Sequence, residues 1–280
     1  MGENSTCYGG PNGAHRSDLA CECDDIGDNH SFMNTQMQTL NANGVPRSST
    51  TSDAAVESRF PVGSWKRIIY GLSLTIPLRL TVYLGIFVFG PLLGVGEQVF
   101  DGSIAALMAT LAMLVYAVGG VAGLGVIYFG RETLQSLGWK SAAPQRDVAL
   151  GILGLFALVG VMLAAFVCFG ESLTELWQTV LAFPAGLRAQ FLVIGVLAAL
   201  AEETLFRGYL QPAAQAKLGT FWGIVLVALV FSLYHMTPHP LGLVVKFGFG
   251  LVLGFLRFRT QSLVAPAVAH FAVWQVLGFA

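Results

Sequence analysis

Apolar positions in this chain come in runs of about twenty residues, the length a helix needs to cross a bilayer. Such runs cover residues 68–95, 103–129, 148–169, 221–236 and 241–258. Two more start near Leu187 and after the stretch Arg259-Thr260-Gln261-Ser262. Residues 171–183 differ: Leu173, Leu176, Trp177, Val180 and Leu181 recur at helical spacing, which predicts an amphipathic helix lying in the membrane interface. The pattern predicts an all-α polytopic transmembrane bundle of about seven spans. Residues 1–59 show no apolar periodicity, are rich in Asn, Ser, Thr, Gly and Asp, and are expected to be disordered. The expected organisation is a polar segment, 1–59, followed by a transmembrane domain, 60–280.

Composition supports this class. The chain is 55% hydrophobic and only 11% charged, against roughly 25% charged residues in soluble domains. Residues 1–59 hold eight acidic and three basic residues, a net −5; residues 60–280 hold eight acidic and twelve basic, a net +4. Lys and Arg concentrate in alternate connections, which predicts a multi-pass protein with a cytoplasmic N-terminus; the expected location is the plasma membrane of a prokaryote. The bilayer is an expected partner, and nucleic acid is not. In the polar segment, Met1-Gly2 with Thr6 fits a lipidation pattern, Asn4-Ser5-Thr6 a glycosylation sequon, and Cys21 and Cys23 with His15 and His30 a metal site. Each is short enough to arise by chance in a biased segment.

Charge within the spans is rare, and so informative. Glu202, Glu203 and Arg207 lie in one such segment. Glu203 and Arg207, four apart, share a helix face and are expected to pair. Glu202 is about 100° further round an α-helix and remains uncommitted. If the helix turns back near Leu218-Gly219, Glu202 and His235 fall at similar depth. His270 is also intramembrane, but counting from the turn at Thr260-Gln261 leaves it about nine residues, or roughly 13 Å, from that level. Gly248, Gly250 and Gly254 on the sixth span offer surfaces for close helix approach. Arg79 and Lys246 are expected to snorkel or to pair. Two carboxylates and two histidines in apolar surroundings suit hydrolysis, a glutamate acting as general base on water. No metal is favoured, although Glu202, His235 and His270 are also a zinc-ligand set.

The run Glu202-Glu203-Thr204-Leu205-Phe206-Arg207 resembles the EExxxR motif of the CAAX protease and bacteriocin-processing membrane family. Phe231-Ser232-Leu233-Tyr234-His235 resembles its FxxxH motif, and His270 the histidine of its last motif, all within residues 187–275. The resemblance implies an intramembrane endopeptidase, with a protein C-terminus or a processed peptide as substrate. By it, Glu202 activates water with His235 as partner, His270 stabilises the oxyanion, and Glu203, Arg207 and Phe231 support the site. In one place the chain departs from the pattern. The family carries Asn or Asp four residues after the last histidine, and here that position is Trp274. The departure motivates the alternative of a catalytically impaired member acting as an immunity or scaffold membrane protein.

Overall fold

The computed structural model describes residues 58–93, 103–182, 184–236 and 239–279. The short motifs of the N-terminal segment, and its expected disorder, lie outside the described residues. Among the described residues all regular structure is helical. Helix α1, Trp65–Leu84, starts at Ser64, whose hydroxyl accepts from the Lys66 N–H, and runs through Pro77 into π-wound turns at Gly85–Phe89. Helix α2, Ile104–Val115, is capped by Ser103 and continues as a π-helix, Tyr116–Phe129. A short helix, α3, Leu134–Leu137, has a reciprocal cap between Thr133 and Ser136 and ends at Gly138, with φ 94°. Helix α4, Pro144–Phe169, is followed by the predicted amphipathic helix α5, Leu173–Leu181. Helix α6, Ala185–Leu197, passes into a π-helical segment, Ala198–Leu210, and then into α7, Gln211–Tyr234. Helices α8, Pro240–Thr260, and α9, Val264–Phe279, complete the chain.

Among the described residues five helices are long and apolar enough to cross a membrane: Trp65–Phe89, Ile104–Phe129, Pro144–Phe169, Ala185–Tyr234 and Pro240–Thr260. A shorter apolar helix covers Val264–Val276. The chain is a multi-pass membrane protein. The difference from the seven expected spans has two sources. The fourth and fifth join into one 50-residue helical run, and the last apolar helix falls below spanning length. The long run is not straight. At Gly219 the backbone leaves the helix (φ 77°, ψ 166°), a conformation open to glycine. The chain reverses there, because Phe206 and Phe231, on opposite sides of Gly219, meet edge to face with ring centroids 5.2 Å apart.

Helix contacts in the bundle rely on small residues. A Cβ at Gly250 would stand 2.7 Å from the Ala228 Cα, so α7 and α8 touch backbone to backbone there. The glycines of α8 serve α7 and α4 rather than α9: Gly254 faces Ile224 and Gln211, and Gly248 faces Val161. Helix α9 instead lies on α4 and α6. It is received by Gly151 and Gly154, whose added Cβ atoms would come within 2.7 Å of Val268 and 3.1 Å of Ala269. The outward faces of these helices expose apolar side chains, among them Ile69, Ile76, Leu153, Phe156 and Phe221. The buried centre is formed around Leu205, Phe206, Tyr209, Phe231, Leu253 and Leu263.

Candidate active site

The π-helical segment Ala198–Leu210 is almost wholly buried and carries the acid pair. Winding with i→i+5 hydrogen bonds is rare in long runs and concentrates at functional sites. Glu203 and Arg207 form the predicted pair, Nη1 to Oε1 at 3.3 Å, with both side chains fully buried. The guanidinium also lies over the Phe231 ring, 4.2 Å from its centroid. Phe231 thus meets the guanidinium with its ring face.

The reversal at Gly219 brings His235, the residue that ends α7, back to the level of Glu202. Its Nδ1 lies 2.7 Å from the Phe231 carbonyl oxygen. A carbonyl only accepts, so Nδ1 carries the proton and Nε2 faces inward. That Nε2 is 4.0 Å from Glu202 Oε2. His270 does the same from α9: its Nδ1 donates to Glu203 Oε1 at 2.7 Å, and its Nε2 is 4.0 Å from the same Glu202 Oε2. One carboxylate oxygen is thus faced by two imidazole nitrogens, each oriented by a bond at its other nitrogen. Both separations are too long for direct hydrogen bonds.

His270 therefore stands closer to the acid pair than the depth count predicts. The count assumes that α9 runs back along α8 from the Thr260-Gln261 turn. Instead α9 leans on α4 and α6, and its start is lifted into the bundle: the Leu263 N–H donates to the Gly138 carbonyl, 2.8 Å, beside Gly208.

Glu202 also lines a cavity of about 200 Å³. The remaining wall is largely apolar, with Leu78, Val82, Met113, Ile194 and Leu197, and includes Arg79, Tyr234, His235 and Trp274. Arg79, expected to snorkel or pair, sits over the Tyr83 ring at 5.6 Å and reaches the cavity. Trp274 stacks on Phe191, centroids 5.8 Å apart. The neighbouring amide, Gln275, is turned away from the acids, its Nε2 donating to the Phe191 and Phe271 carbonyls. Lys246 lies over the Trp274 ring, Nζ 5.3 Å from its centroid, rather than snorkelling or joining an acid. Among the described residues, no group of three or more His, Cys, Asp or Glu side chains is arranged to hold a metal ion.

The far side of the motif segment is fastened to a loop that carries no motif. Trp139 Nε1 donates to Thr204 Oγ1 at 2.9 Å. Arg257 Nε donates to the Arg207 carbonyl at 3.3 Å, with Nη2 near the Leu137 carbonyl at 3.5 Å. Further along, Arg67 and Glu132 form a buried ion pair at 2.5 Å, and the Arg67 guanidinium lies 4.2 Å from the Tyr209 ring centroid. The alternation of basic loops marks Arg67 and Arg257 for orientation only; neither their burial nor their partners has a local sequence signal.

A family profile described as type II CAAX prenyl endopeptidase Rce1-like matches residues 184–274. No curated protein and no solved structure matches the chain. The matched span contains the two acids, the arginine, both histidines and Trp274. At the level of the family it supports a protease. Over residues 184–274, about a third of the chain, the protein is therefore similar to the CAAX prenyl endopeptidase family.

Proposed function

We propose that this protein is an intramembrane endopeptidase that hydrolyses peptide bonds with a water activated by Glu202. The observation that carries the reading is the placement of Glu202 Oε2 at 4.0 Å from the Nε2 atoms of both His235 and His270, on the wall of an apolar cavity. Water held among these three groups is within reach of a carboxylate base. Glu202 takes its proton as the water oxygen bonds to the substrate carbonyl carbon. The carbonyl π pair moves to oxygen, giving a tetrahedral oxyanion. The C–N bond then breaks, and the leaving nitrogen takes the proton from the Glu202 carboxyl group. His235, fixed by the Phe231 carbonyl, orients the water and shares that proton. His270 donates to the oxyanion from Nε2 when its ring is doubly protonated, since Nδ1–H is spent on Glu203. Apolar walls suit a hydrophobic peptide segment entering from the membrane, such as a protein C-terminus or a processed peptide.

The test is cleavage of a peptide library, prenylated CAAX peptides included, by the purified full chain. Glu202→Gln and His235→Ala are each expected to abolish cleavage while leaving the thermal melt in place. Turnover that persists in Glu202→Gln overturns the reading. A chelator arm distinguishes water activated by carboxylate alone from water activated by zinc on the same three side chains. Absence of cleavage by the wild type, with a wild-type phenotype for the Glu202→Gln, His235→Ala double mutant, favours the immunity or scaffold role instead.

A further inference from the structure

We infer that Lys246 is the electrophile of this site and that Trp274 holds it there; the inference rests on the hydrolytic reading above. An addition to a carbonyl moves a full negative charge onto oxygen, and in a dry cavity that charge requires a donor aimed at it. His270 is a limited donor. Its Nδ1–H is committed to Glu203, so a neutral ring presents only a lone pair at Nε2. His235 has the same restriction, with Nδ1 committed to the Phe231 carbonyl. The Gln275 amide is turned onto the Phe191 and Phe271 carbonyls.

Lys246 fills that gap. It lies on α8, in the bundle rather than at its edge, and its side chain is partly buried. Its ammonium rests between two ring faces, 5.3 Å from the Trp274 centroid and 5.7 Å from that of Phe249. Distances under about 6 Å are those of cation–π attraction, strongest on tryptophan. Among the described residues Lys246 makes no hydrogen bond and no ion pair, so its three donors are uncommitted. The Trp274 ring is the neighbour that the ammonium and the cavity share. Trp274 itself lines the cavity with Glu202 and His235.

In the addition step the C–O bond to water forms, the Glu202 carboxylate takes the water proton, and the carbonyl π pair becomes the oxyanion lone pair. The Lys246 ammonium donates a hydrogen bond to that oxyanion and keeps its proton. On collapse the lone pair re-forms the C=O bond, the C–N bond breaks, and the nitrogen takes the proton from Glu202. Trp274 is the positioning residue, because its face keeps the four-carbon lysine stem from straying toward the membrane interface.

The experiment follows peptide cleavage by the full chain, with Glu202→Gln as the background control, in Lys246→Met, Lys246→Arg, Trp274→Leu and the double variant Lys246→Met, Trp274→Asn. Lys246→Met is expected to lower kcat by about 10²–10³-fold and to leave KM within about threefold. Lys246→Arg keeps most of the rate, and Trp274→Leu lowers kcat with a normal thermal melt. An amide at position 274 lies one helical turn beyond His270, so the double variant recovers part of the rate lost in Lys246→Met. That recovery would not follow if the lysine were merely structural. A Lys246→Met enzyme with kcat near the wild-type value, or with only KM raised, overturns the inference and leaves the hydrolytic reading standing. If Lys246→Met fails to fold, a folded Trp274→Leu with unchanged kcat overturns it. Wild-type protein with no Glu202-dependent cleavage overturns both.

Discussion

His270 Nδ1 and Glu203 Oε1 lie 2.7 Å apart, and the same carboxylate oxygen is 3.3 Å from Arg207 Nη1. One oxygen thus ties the last helix to the motif segment and neutralises a buried guanidinium. Glu203 is the fastening of the pair, and Glu202 is the member on the cavity wall.

Removing the charge of Glu203 leaves Arg207 fully buried without a counter-ion. Breaking a buried pair from one side costs about 3–5 kcal/mol. Glu203→Gln is therefore expected to lower the thermal midpoint sharply in detergent. The double variant Glu203→Gln, Arg207→Met is expected to lie well above it, because no orphan charge remains.

Arg67 and Glu132 provide an independent pair away from the chemistry. Their side chains are each 2% exposed. Glu132 also accepts the Ser58 and Ser136 hydroxyls, at 2.6 and 2.8 Å. Arg67→Met and Glu132→Gln should each cost about 3–5 kcal/mol, and the double variant much less than their sum. A thermodynamic cycle on unfolding midpoints measures the coupling, and strict additivity would contradict it.

Two glycines separate close packing from helix propensity. Gly250→Ala sets a Cβ 2.7 Å from the Ala228 Cα, so α7 and α8 must part. Overpacking of this kind costs about 1–3 kcal/mol. Gly160→Ala meets nothing within 4 Å, in the interior of α4. There the better helix former gains up to about 0.8–1.0 kcal/mol. Opposite shifts in thermal midpoint are the expected outcome.

Gly138→Ala combines a positive φ, 94°, with a Cβ 2.9 Å from Arg257 Nη2. Gly170→Ala has a positive φ, 72°, and open space. Gly170→Ala should cost about 1–2 kcal/mol in stability and nothing in rate. Gly138→Ala should cost more, and should also lower kcat, because Arg257 donates to the Arg207 carbonyl beneath the acid pair.

What the sequence makes legible follows from distance along the chain. Glu203 with Arg207 is a local pair, and the spacing predicts it. Glu202 with His235 needs only one reversal, and Gly219 marks it; counting residues on either side suffices. His270 fails that arithmetic, since its height depends on Leu263 docking against Gly138 and on glycines of α4 and α6 that receive α9. The partners of Trp139, Arg67 and Arg257 are equally non-local. Lys246 looks like a snorkelling residue by its nearness to Pro240. Its place over the Trp274 ring, 28 residues away in the chain, has no local signal.

The loop from Glu132 to Trp139 has a consequence for inheritance. Trp139 bonds Thr204, Gly138 receives the Leu263 N–H, and Leu137 receives Arg257. All three partners lie in the family-matched span, and the loop lies outside it. A recombination junction at residue 184 would therefore deliver a motif-bearing cassette whose sockets face a foreign loop. A chimaera carrying only 184–274 from this chain should express poorly, and adding residues 132–139 from the same parent should restore it. Selection on the motif segment is thus also selection on a loop that bears no motif of its own.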